Sequence, residues 1–148
     1  MTGEGRPPRT GWAPMVAELH VLDLEASLAF WTGLLGFAVA YRRREEKFAY
    51  LERPEGGQIM LCQRHGRFET GPLDPPLGRG AMFQVYIEGL QPVLDRLAAA
   101  GWPLYLGPRE VWRRTGDREG GQREVFVQDP DGYLVMAAES LGSRPLAG

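Results

Sequence analysis

The stretch PMVAELHV, residues Pro14–Val21, decides how the rest of the chain is interpreted. As a strand, it sends alternate side chains to opposite faces. One face is entirely apolar and carries Met15, Ala17, Leu19 and Val21. The other face carries Val16, Glu18 and His20. Because Glu18 and His20 are costly to bury without partners, we expect this second face to meet water, a ligand or a paired polar group.

Composition places the chain among ordinary globular proteins. Its 148 residues suit one domain or two small fused modules, and 43% hydrophobic and 24% charged residues are typical values. A net charge of -2 gives no reason to expect a nucleic-acid partner. No run approaches the roughly 18 apolar residues of a membrane span. The single cysteine, Cys62, excludes an intrachain disulfide and fits a reducing cytoplasm, so we expect a cytoplasmic protein.

Two patterned segments are separated and flanked by unpatterned ones. Residues 1–13 lack the apolar core of a signal peptide and are predicted to form a flexible tail, as are residues 142–148. Residues 65–80 hold several glycines and prolines without an apolar period, which indicates a linker or a functional loop. Residues 14–64 and 81–141 are the two predicted modules.

The first module is predicted to form a strand, a helix and three further strands. Asp23 is a good N-cap, and Gly36 ends the helical run. Apolar residues at helical spacing between them are Leu24, Leu28, Trp31 and Leu35. The three strands that follow are Phe37–Arg43, Lys47–Glu52 and QIMLC at residues 58–62.

The second module repeats this order. AMFQVYI, residues Ala81–Ile87, alternates as the first strand does, and a helical stripe of leucines then runs to Gly101. Three predicted strands follow, namely Leu104–Leu106, EVFVQ and YLVMA, with the turn DPDG between the last two. Helical positions of the two modules match with a constant offset of 66 residues (Leu24 to Leu90), and the last strands with an offset of 76 (Met60 to Met136).

The change of offset means that the second module has gained residues between Gly101 and Glu124. GPREVWRRTGDREGG lies there and is predicted to be an inserted loop. Neither module could bury its sheet alone, which favours pairing within one domain or across a dimer. We therefore predict an α+β protein of two tandem βαβββ modules.

Three motifs together resemble the vicinal-oxygen-chelate superfamily, which includes glyoxalase I, bleomycin-resistance proteins and extradiol dioxygenases. They are HVLDLEASLAFWTGLLGF (His20–Phe37), PEGGQIML (Pro54–Leu61) and VFVQDPDGYLVM (Val125–Met136). The resemblance covers roughly residues 14–141. It implies that curved mixed sheets of the two modules enclose a cavity.

The resemblance also implies where a metal would be held. Enzymes of the family bind a divalent metal through four side chains, commonly His, Gln and Glu, from the first and last strands of each module. The matching positions here are Val16, Met60, Met82 and Met136. None of these suits a hard divalent ion, so we expect no metal and no other cofactor. A displaced trio of Glu18, His20 and Cys62 is the alternative metal site that remains open.

Residues with the same parity as Glu18 and His20 are predicted to contact a ligand. They are Glu18, His20, Met60, Cys62, Met82, Gln84, Tyr86 and Met136. Aromatic side chains are predicted to stack on the ligand as walls of the pocket, namely Tyr41, Tyr50, Phe126 and, from the inserted loop, Trp112. An apolar floor with a few polar groups at one end is typical of a small-molecule pocket. The alternative is a filled core in which Glu18 and His20 pair with each other or with Tyr86.

The segment Gly116–Gly132 resembles the matching region of metal-free bleomycin-resistance proteins, which bind a cationic drug at a dimer interface. The resemblance implies a homodimer that sequesters a small organic molecule, such as an antibiotic, without a metal. Candidate anions for a cationic ligand are Glu18, Glu119 and Glu124. Such proteins often carry Trp before the Gly-Arg-Glu stretch, whereas Gly121 and Gln122 stand here, which argues against bleomycin itself.

Two other functions remain open at this point. One is a metal-dependent lyase, isomerase or dioxygenase of the same superfamily with displaced ligands, and the other is an interaction module with a closed cavity. Glu18 and His20, two residues apart on one strand, are the candidates for acid–base catalysis without a metal. Cys62 has no evident cationic neighbour, so we expect a small buried hydrophobe rather than a nucleophile.

Overall fold

A computed structural model describes residues 4–147, which form two compact units. The first unit contains the described residues up to Leu77 together with Asp129–Gly132. The second contains Gly78–Gln128 and the described residues from Tyr133 onward. Each unit has one helix and one mixed sheet, so the predicted α+β class and the two βαβββ modules are confirmed.

The first unit carries a five-stranded sheet in the order β1-β3-β4-β5-β2. Its strands are β1 (Glu4–Gly5), β2 (Ala17–Val21), β3 (Ala38–Arg43), β4 (Phe48–Glu52) and β5 (Gln58–Gln63). Strands β2 and β5 are parallel, and the other neighbours are antiparallel. Helix α1 (Leu24–Gly33) connects β2 to β3, and a short 3-10 turn, Arg44–Glu46, precedes β4.

The second unit carries a four-stranded sheet in the order β6-β9-β8-β7. Its strands are β6 (Met82–Tyr86), β7 (Leu106–Thr115), β8 (Arg118–Gln128) and β9 (Leu134–Pro145), and helix α2 is Gln91–Ala99. Strands β6 and β9 are parallel, which repeats the pairing of β2 with β5. Neither helix of residues 4–147 has the length and apolar character needed to cross a membrane.

Helix α1 forms where the sequence predicts it. The Asp23 carboxylate accepts hydrogen bonds from the backbone amides of Glu25 and Ala26, which are otherwise unpaired in the first turn. The apolar side of the helix is buried, and Trp31 is fully enclosed. The Trp31 indole donates to the Asp129 carboxylate at 3.3 Å, so the DPDG turn is fixed to the helix of the first unit.

That turn requires glycine at its last position. Gly132 has φ of +100°, and a Cβ there would lie 2.6 Å from the Cα of Pro76. The backbone amide of Leu22 also donates to the Asp131 carboxylate, and burial raises the pKa of that carboxyl. The segment of the sequence that resembles the superfamily most specifically is thus a buried, tightly packed turn.

The predicted flexible tails differ from the structure. Strand β1 pairs with β3, and the amide of Arg9 donates to the Glu52 carboxylate, so residues 4–13 pack on the first sheet; residues 1–3 lie outside the described part. At the other end, β9 continues to Pro145 because β8 begins at Arg118 and supplies hydrogen-bond partners that far. Long-range pairing orders both segments, although neither has a periodic pattern of its own.

The predicted inserted loop is instead a long β-hairpin. Strands β7 and β8 have 10 and 11 residues, against 6 and 5 in the corresponding strands β3 and β4. Thr115 pairs with Arg118 across the two residues Gly116 and Asp117. A Gly-Asp pair between alternating segments is a known hairpin signal, which the sequence interpretation missed.

Candidate functional site

Residues paired across neighbouring strands lie on the same face of a sheet, which defines two faces of interest. The first face is that of the five-stranded sheet, with the rows Glu18–Met60–Tyr50–Tyr41 and His20–Cys62–Phe48–Arg43. The second face is that of the four-stranded sheet, with the rows Gln84–Met136–Phe126 and Tyr86–Ala138–Glu124–Arg109. Nearly all of the predicted ligand-binding residues lie on one of these faces.

The first face is filled by aromatic side chains. Tyr50 is 1% exposed, and Phe48 is also buried. Tyr41 stacks on Tyr50 with ring centroids 5.2 Å apart, and the Arg43 guanidinium lies 3.9 Å above the centre of the Phe48 ring. Met60 packs against the same cluster. The structure therefore uses Tyr41, Tyr50 and Met60 as packing on this face.

The amino-terminal segment covers part of the first face. Trp12 meets the ring of Tyr50 edge-on at 5.3 Å between centroids and that of Tyr41 at 6.0 Å. The Gln58 amide holds the segment, donating to the carbonyl of Gly11 at 2.6 Å and accepting from the amide of Ala13 at 3.0 Å. A small cleft of about 220 Å³ lies beside Trp12 and Tyr41.

Glu18 and His20 pair with each other, as the filled-core alternative proposes. Nε2 of His20 lies 2.8 Å from Oε2 of Glu18, within reach of a proton exchange between them. The His65 ring, from the segment between the modules, lies 5.0 Å from the His20 ring between centroids. Phe68 completes this small aromatic cluster at 6.1 Å from His20.

Cys62 lies next to His20 on the first face but has no feature of a nucleophile. Its side chain is buried. Burial raises the pKa of the Cys62 thiol, and the nearby negative charges of Glu18 and Glu46 raise it further. The group is therefore a neutral thiol at physiological pH, which agrees with a packing role.

The second face borders a partly open cavity of about 460 Å³. Five of the predicted ligand-binding residues line it, namely Met82, Gln84, Tyr86, Phe126 and Met136. Met136 and Phe126 are buried and form an apolar floor, whereas Tyr86 is 55% exposed at the edge. The Tyr86 hydroxyl donates to the Gln84 side-chain carbonyl at 3.0 Å. Arg113, which the sequence interpretation did not single out, also lines the wall.

Glu124 is the buried centre of an ionic network on this face. Its side chain is 0% exposed, and the Arg113 guanidinium donates to both carboxylate oxygens, at 2.8 and 3.0 Å. Nε of Arg109 donates to Oε1 at 3.0 Å, and the Gln122 amide donates to Oε2. Arg113 is the main cause that lowers the pKa of Glu124 to about 2, with help from Gln122 and Arg109. The carboxylate is thus ionised and fully occupied.

Two of the candidate anions for a cationic ligand are therefore engaged by arginines. Two guanidinium groups share the single charge of Glu124. Glu119 pairs with Arg144 at 2.6 Å. Since Glu124 carries one negative charge against two positive ones, the network has an excess of positive charge, which is opposite to what a cationic drug would require.

Trp112 does not reach the cavity, contrary to its predicted role as a stacking wall. It pairs with Gly121 across the hairpin and lies on the face opposite Arg113. Its ring occupies the space above Gly121, where a Cβ would lie 2.5 Å from the indole, and the Arg144 guanidinium covers it at 3.8 Å. Successive side chains of a strand point to opposite faces, so Trp112 and Arg113 lie on different sides of the hairpin. The loop predicted from the sequence has no such alternation.

Sequence interpretation missed Arg109, Arg113 and Gln122, although a signal for them exists. Arg109 and Arg113 alternate along β7, and Gln122 and Glu124 alternate along β8. Folding the two strands about Gly116 and Asp117 places all four side chains on one face. Opposite charges directly across a hairpin are a common stabilising pair, but the pairing is visible only once the turn is recognised.

The residues at the metal positions that the resemblance implies do not fit a divalent ion. Val16 has no donor atom, and Met60, Met82 and Met136 offer only thioether sulfur. Sδ of Met136 lies 3.8 Å from the Gln122 amide nitrogen, on the floor of the second-face cavity. Within residues 4–147, no three or more His, Cys, Asp or Glu side chains are grouped to hold a metal. The alternative trio of Glu18, His20 and Cys62 thus lacks the geometry of a site.

Comparison with known proteins agrees with this fold. The sequence-family model of the Glyoxalase/Bleomycin resistance protein/Dioxygenase superfamily matches residues 13–137 of this chain. A probable lactoylglutathione lyase from Vibrio parahaemolyticus is 26% identical over 125 residues, which cover 79% of this chain and 83% of the relative.

Solved structures give the same result at low sequence identity. A virulence protein from Salmonella typhimurium has a TM-score of 0.61 and 23% identity over 84% of this chain and 93% of its own. A glyoxalase/bleomycin resistance protein/dioxygenase from Nocardioides has a TM-score of 0.58 and 24% identity over 95% of this chain and 93% of its own. At this identity the likeness shows the fold alone.

Proposed function

Because the chain belongs to the Glyoxalase/Bleomycin resistance protein/Dioxygenase superfamily, we propose that it binds a small organic molecule in the second-face cavity without a metal ion. The observation that carries the proposal is the replacement of every implied metal ligand by valine or methionine. Unbranched thioether side chains adapt to the shape of an apolar ligand, whereas they bind hard cations poorly. Sequestration of the ligand, as opposed to its conversion, is the corresponding activity.

The cavity has the composition of a binding site. A volume of about 460 Å³ lies within the range of small-molecule pockets, roughly 300–1,000 Å³. Its floor is apolar, and its walls carry polar side chains, namely Gln84, Tyr86, Arg113, Thr115, Gln122 and Ser140. This arrangement supports a ligand that has an apolar body on the floor and polar groups that hydrogen-bond to the walls.

Two relatives are named probable lactoylglutathione lyase. A metal-dependent lyase would need oxygen or nitrogen donors where this chain has Val16, Met60, Met82 and Met136. These names therefore support a small-molecule ligand for this chain more strongly than they support metal-dependent chemistry. The same argument applies to a metal-dependent isomerase or dioxygenase.

A test of the proposal fills the cavity and leaves the rest of the chain intact. Gly120 lines the cavity, its φ is not positive, and a Cβ there meets nothing within 4 Å. Gly120→Trp should therefore fold and block the cavity, whereas Gly33→Trp, at an equally open glycine in the first unit, is the matched control. The probes are the dye anilinonaphthalene sulfonate and its uncharged relative N-phenylnaphthylamine.

We expect dye fluorescence to show binding to the wild type and to Gly33→Trp, and none to Gly120→Trp. Elemental analysis of protein purified without chelator should find far less than one metal ion per chain. Dye binding that Gly120→Trp leaves unchanged would refute the cavity as the binding site. One zinc, nickel, manganese or iron ion per chain would refute the proposal that the protein binds its ligand without a metal.

A further inference from the structure

We infer that the ligand of the second-face cavity is an organic anion, with its acidic group held by Arg113 and its apolar body against Phe126 and Met136. This inference rests on the proposed function and deepens it by naming the chemical class of the ligand. It follows from the charges, donors and floor of the cavity, taken in turn.

The ionic network beside the cavity, which reaches the wall through Arg113, carries a net positive charge. Arg109 and Arg113 contribute two positive charges, and Glu124 contributes one negative charge, since its pKa is lowered to about 2. Gln122, the remaining partner of the network, is neutral. The network therefore keeps one uncompensated positive charge beside an apolar floor, where an anion gains most from a charge-assisted hydrogen bond.

Arg113 holds this positive charge where a ligand can reach it. Arg113 lines the cavity, and its side chain is 48% exposed, so it can meet a ligand. A guanidinium has five N–H groups, and the paired bonds to Glu124 engage the two terminal nitrogens from one side. The remaining N–H groups are directed away from Glu124. Glu124 thus fixes the guanidinium in advance, which reduces the entropy lost when a second acid group binds.

A second donor lies on the other wall of the cavity. The Gln84 carbonyl accepts from the Tyr86 hydroxyl at 3.0 Å, which assigns the amide nitrogen of Gln84 as the donor for a ligand. Gln84 is exposed and lines the same cavity as Arg113. Gln84 and Arg113 thus offer donors to one cavity from the two edge strands of the sheet, β6 and β7.

Other ligand classes fit less well. A cation would be repelled by the excess positive charge, since Glu124 is already shared by two arginines. A bare inorganic anion would leave most of the 460 Å³ and the apolar floor unused. A neutral apolar molecule would use the floor but not Arg113. An acidic group on an apolar or aromatic body uses both.

The test compares the two dyes, which share an aromatic body and differ in the sulfonate. We expect anilinonaphthalene sulfonate to bind the full chain at least about tenfold more tightly than N-phenylnaphthylamine, and the difference to shrink at high salt. Arg113→Gln should reduce the affinity for the sulfonate by about tenfold or more and leave the neutral dye unaffected. Arg114→Gln is the control on the same strand, because the Arg114 guanidinium donates to the Gly116 carbonyl.

Because Arg113→Gln alters the buried network, Gln84→Glu serves as an independent variant. Gln84 is exposed and makes no bond to Glu124, so this change adds a negative charge to the cavity without disturbing the fold. It should weaken sulfonate binding and spare the neutral dye. Equal affinity for both dyes, or sulfonate binding that neither variant changes, would refute the inference that the ligand is an organic anion. Neither result would contradict the proposed binding of a small molecule. Binding of neither dye would overturn the proposed function itself.

Discussion

The two sheets of this protein follow one plan but present different faces. On the helix side both are alike, with strands whose inward side chains are fully buried, such as Leu61 in the first unit and Val135 in the second. The opposite faces differ, because aromatic rings and Trp12 fill the first, whereas the second keeps a cavity with an arginine network. A repeated module can thus preserve its core and change the face on which a ligand would bind.

The length of one hairpin explains most of this difference. Strands β7 and β8 are longer than β3 and β4, and the added residues carry Arg113 and Gly120 to the cavity wall. In the first unit the corresponding strands are short, and the segment before β2 lies beside them instead. The segment before β2 therefore covers the first sheet, whereas the long hairpin extends the wall of the second.

The strongest test of the contrast between a filled and an open face compares two tyrosines. Tyr50→Ala should cost about 3–5 kcal/mol of unfolding free energy, because it leaves a cavity in a packed aromatic cluster. Tyr86→Ala, at a position that is more than half exposed, should cost less than about 0.5 kcal/mol. Urea denaturation of both variants provides the measurement. Similar losses in the two variants would show that the faces are packed alike.

The ionic network of the second face predicts a stability effect in acid. The folded pKa of Glu124, about 2, lies below its ordinary value of 4.5, so its stabilisation is present above pH 4.5 and is lost as the pH falls towards 2. The shift corresponds to at most about 3–4 kcal/mol, and to less in practice because both arginines are nearly half exposed.

Glu124→Gln should therefore lower stability at neutral pH and flatten its pH dependence below 4.5. Thermal unfolding between pH 7 and pH 3 checks both effects. Glu119→Gln is the control, since it removes a carboxylate of the same hairpin that pairs with the half-exposed Arg144 of β9. A variant at position 124 that keeps the pH dependence of the wild type would contradict the network.

Removal of Trp12 should open the first face. Trp12→Ala breaks two edge-to-face contacts, each worth about 0.5–1.5 kcal/mol, and should leave the fold intact because the indole is itself largely exposed. Tyrosine nitration followed by mass spectrometry should then show greater modification of Tyr50, with that of Tyr86 unchanged. Unchanged protection of Tyr50 would mean that the segment before β2 does not cover this face.

The smallest expected effect concerns Trp112. Trp112→Ala should not alter dye binding, because the indole lies on the face of the hairpin opposite the cavity. Gly121→Ala should displace the ring and cost roughly 1 kcal/mol of stability. Dye titration of Trp112→Ala and urea denaturation of Gly121→Ala, each against the wild type, test the two statements. A loss of dye affinity in Trp112→Ala would place the indole in the site after all.

Local patterns in the sequence predicted the elements of the fold well. The N-cap at Asp23, the helical spacing up to Leu35 and the strict alternation of β2 and β6 are properties of neighbouring residues. They depend on backbone geometry over one or two turns or a few strand positions. The matching offsets of the two modules then determined the repeated order of elements.

The cavity wall could not be predicted in the same way, because it depends on register between strands. Arg109 and Arg113 reach Glu124 only through the pairing set by the turn at Gly116, and Trp112 moves to the other face for the same reason. Trp12 is ordered by contacts with residues about 30–40 positions away in the chain. A pattern within a single window of sequence contains neither kind of information.

The central claim is that this chain binds a small organic molecule without a metal. The most direct measurement is calorimetric titration of anilinonaphthalene sulfonate into the full chain after dialysis against EDTA, repeated with added zinc, nickel or manganese. We predict one micromolar site per chain that the chelator does not remove and that added metal does not strengthen. Binding that disappears with EDTA and returns with one of the three metals would contradict the claim.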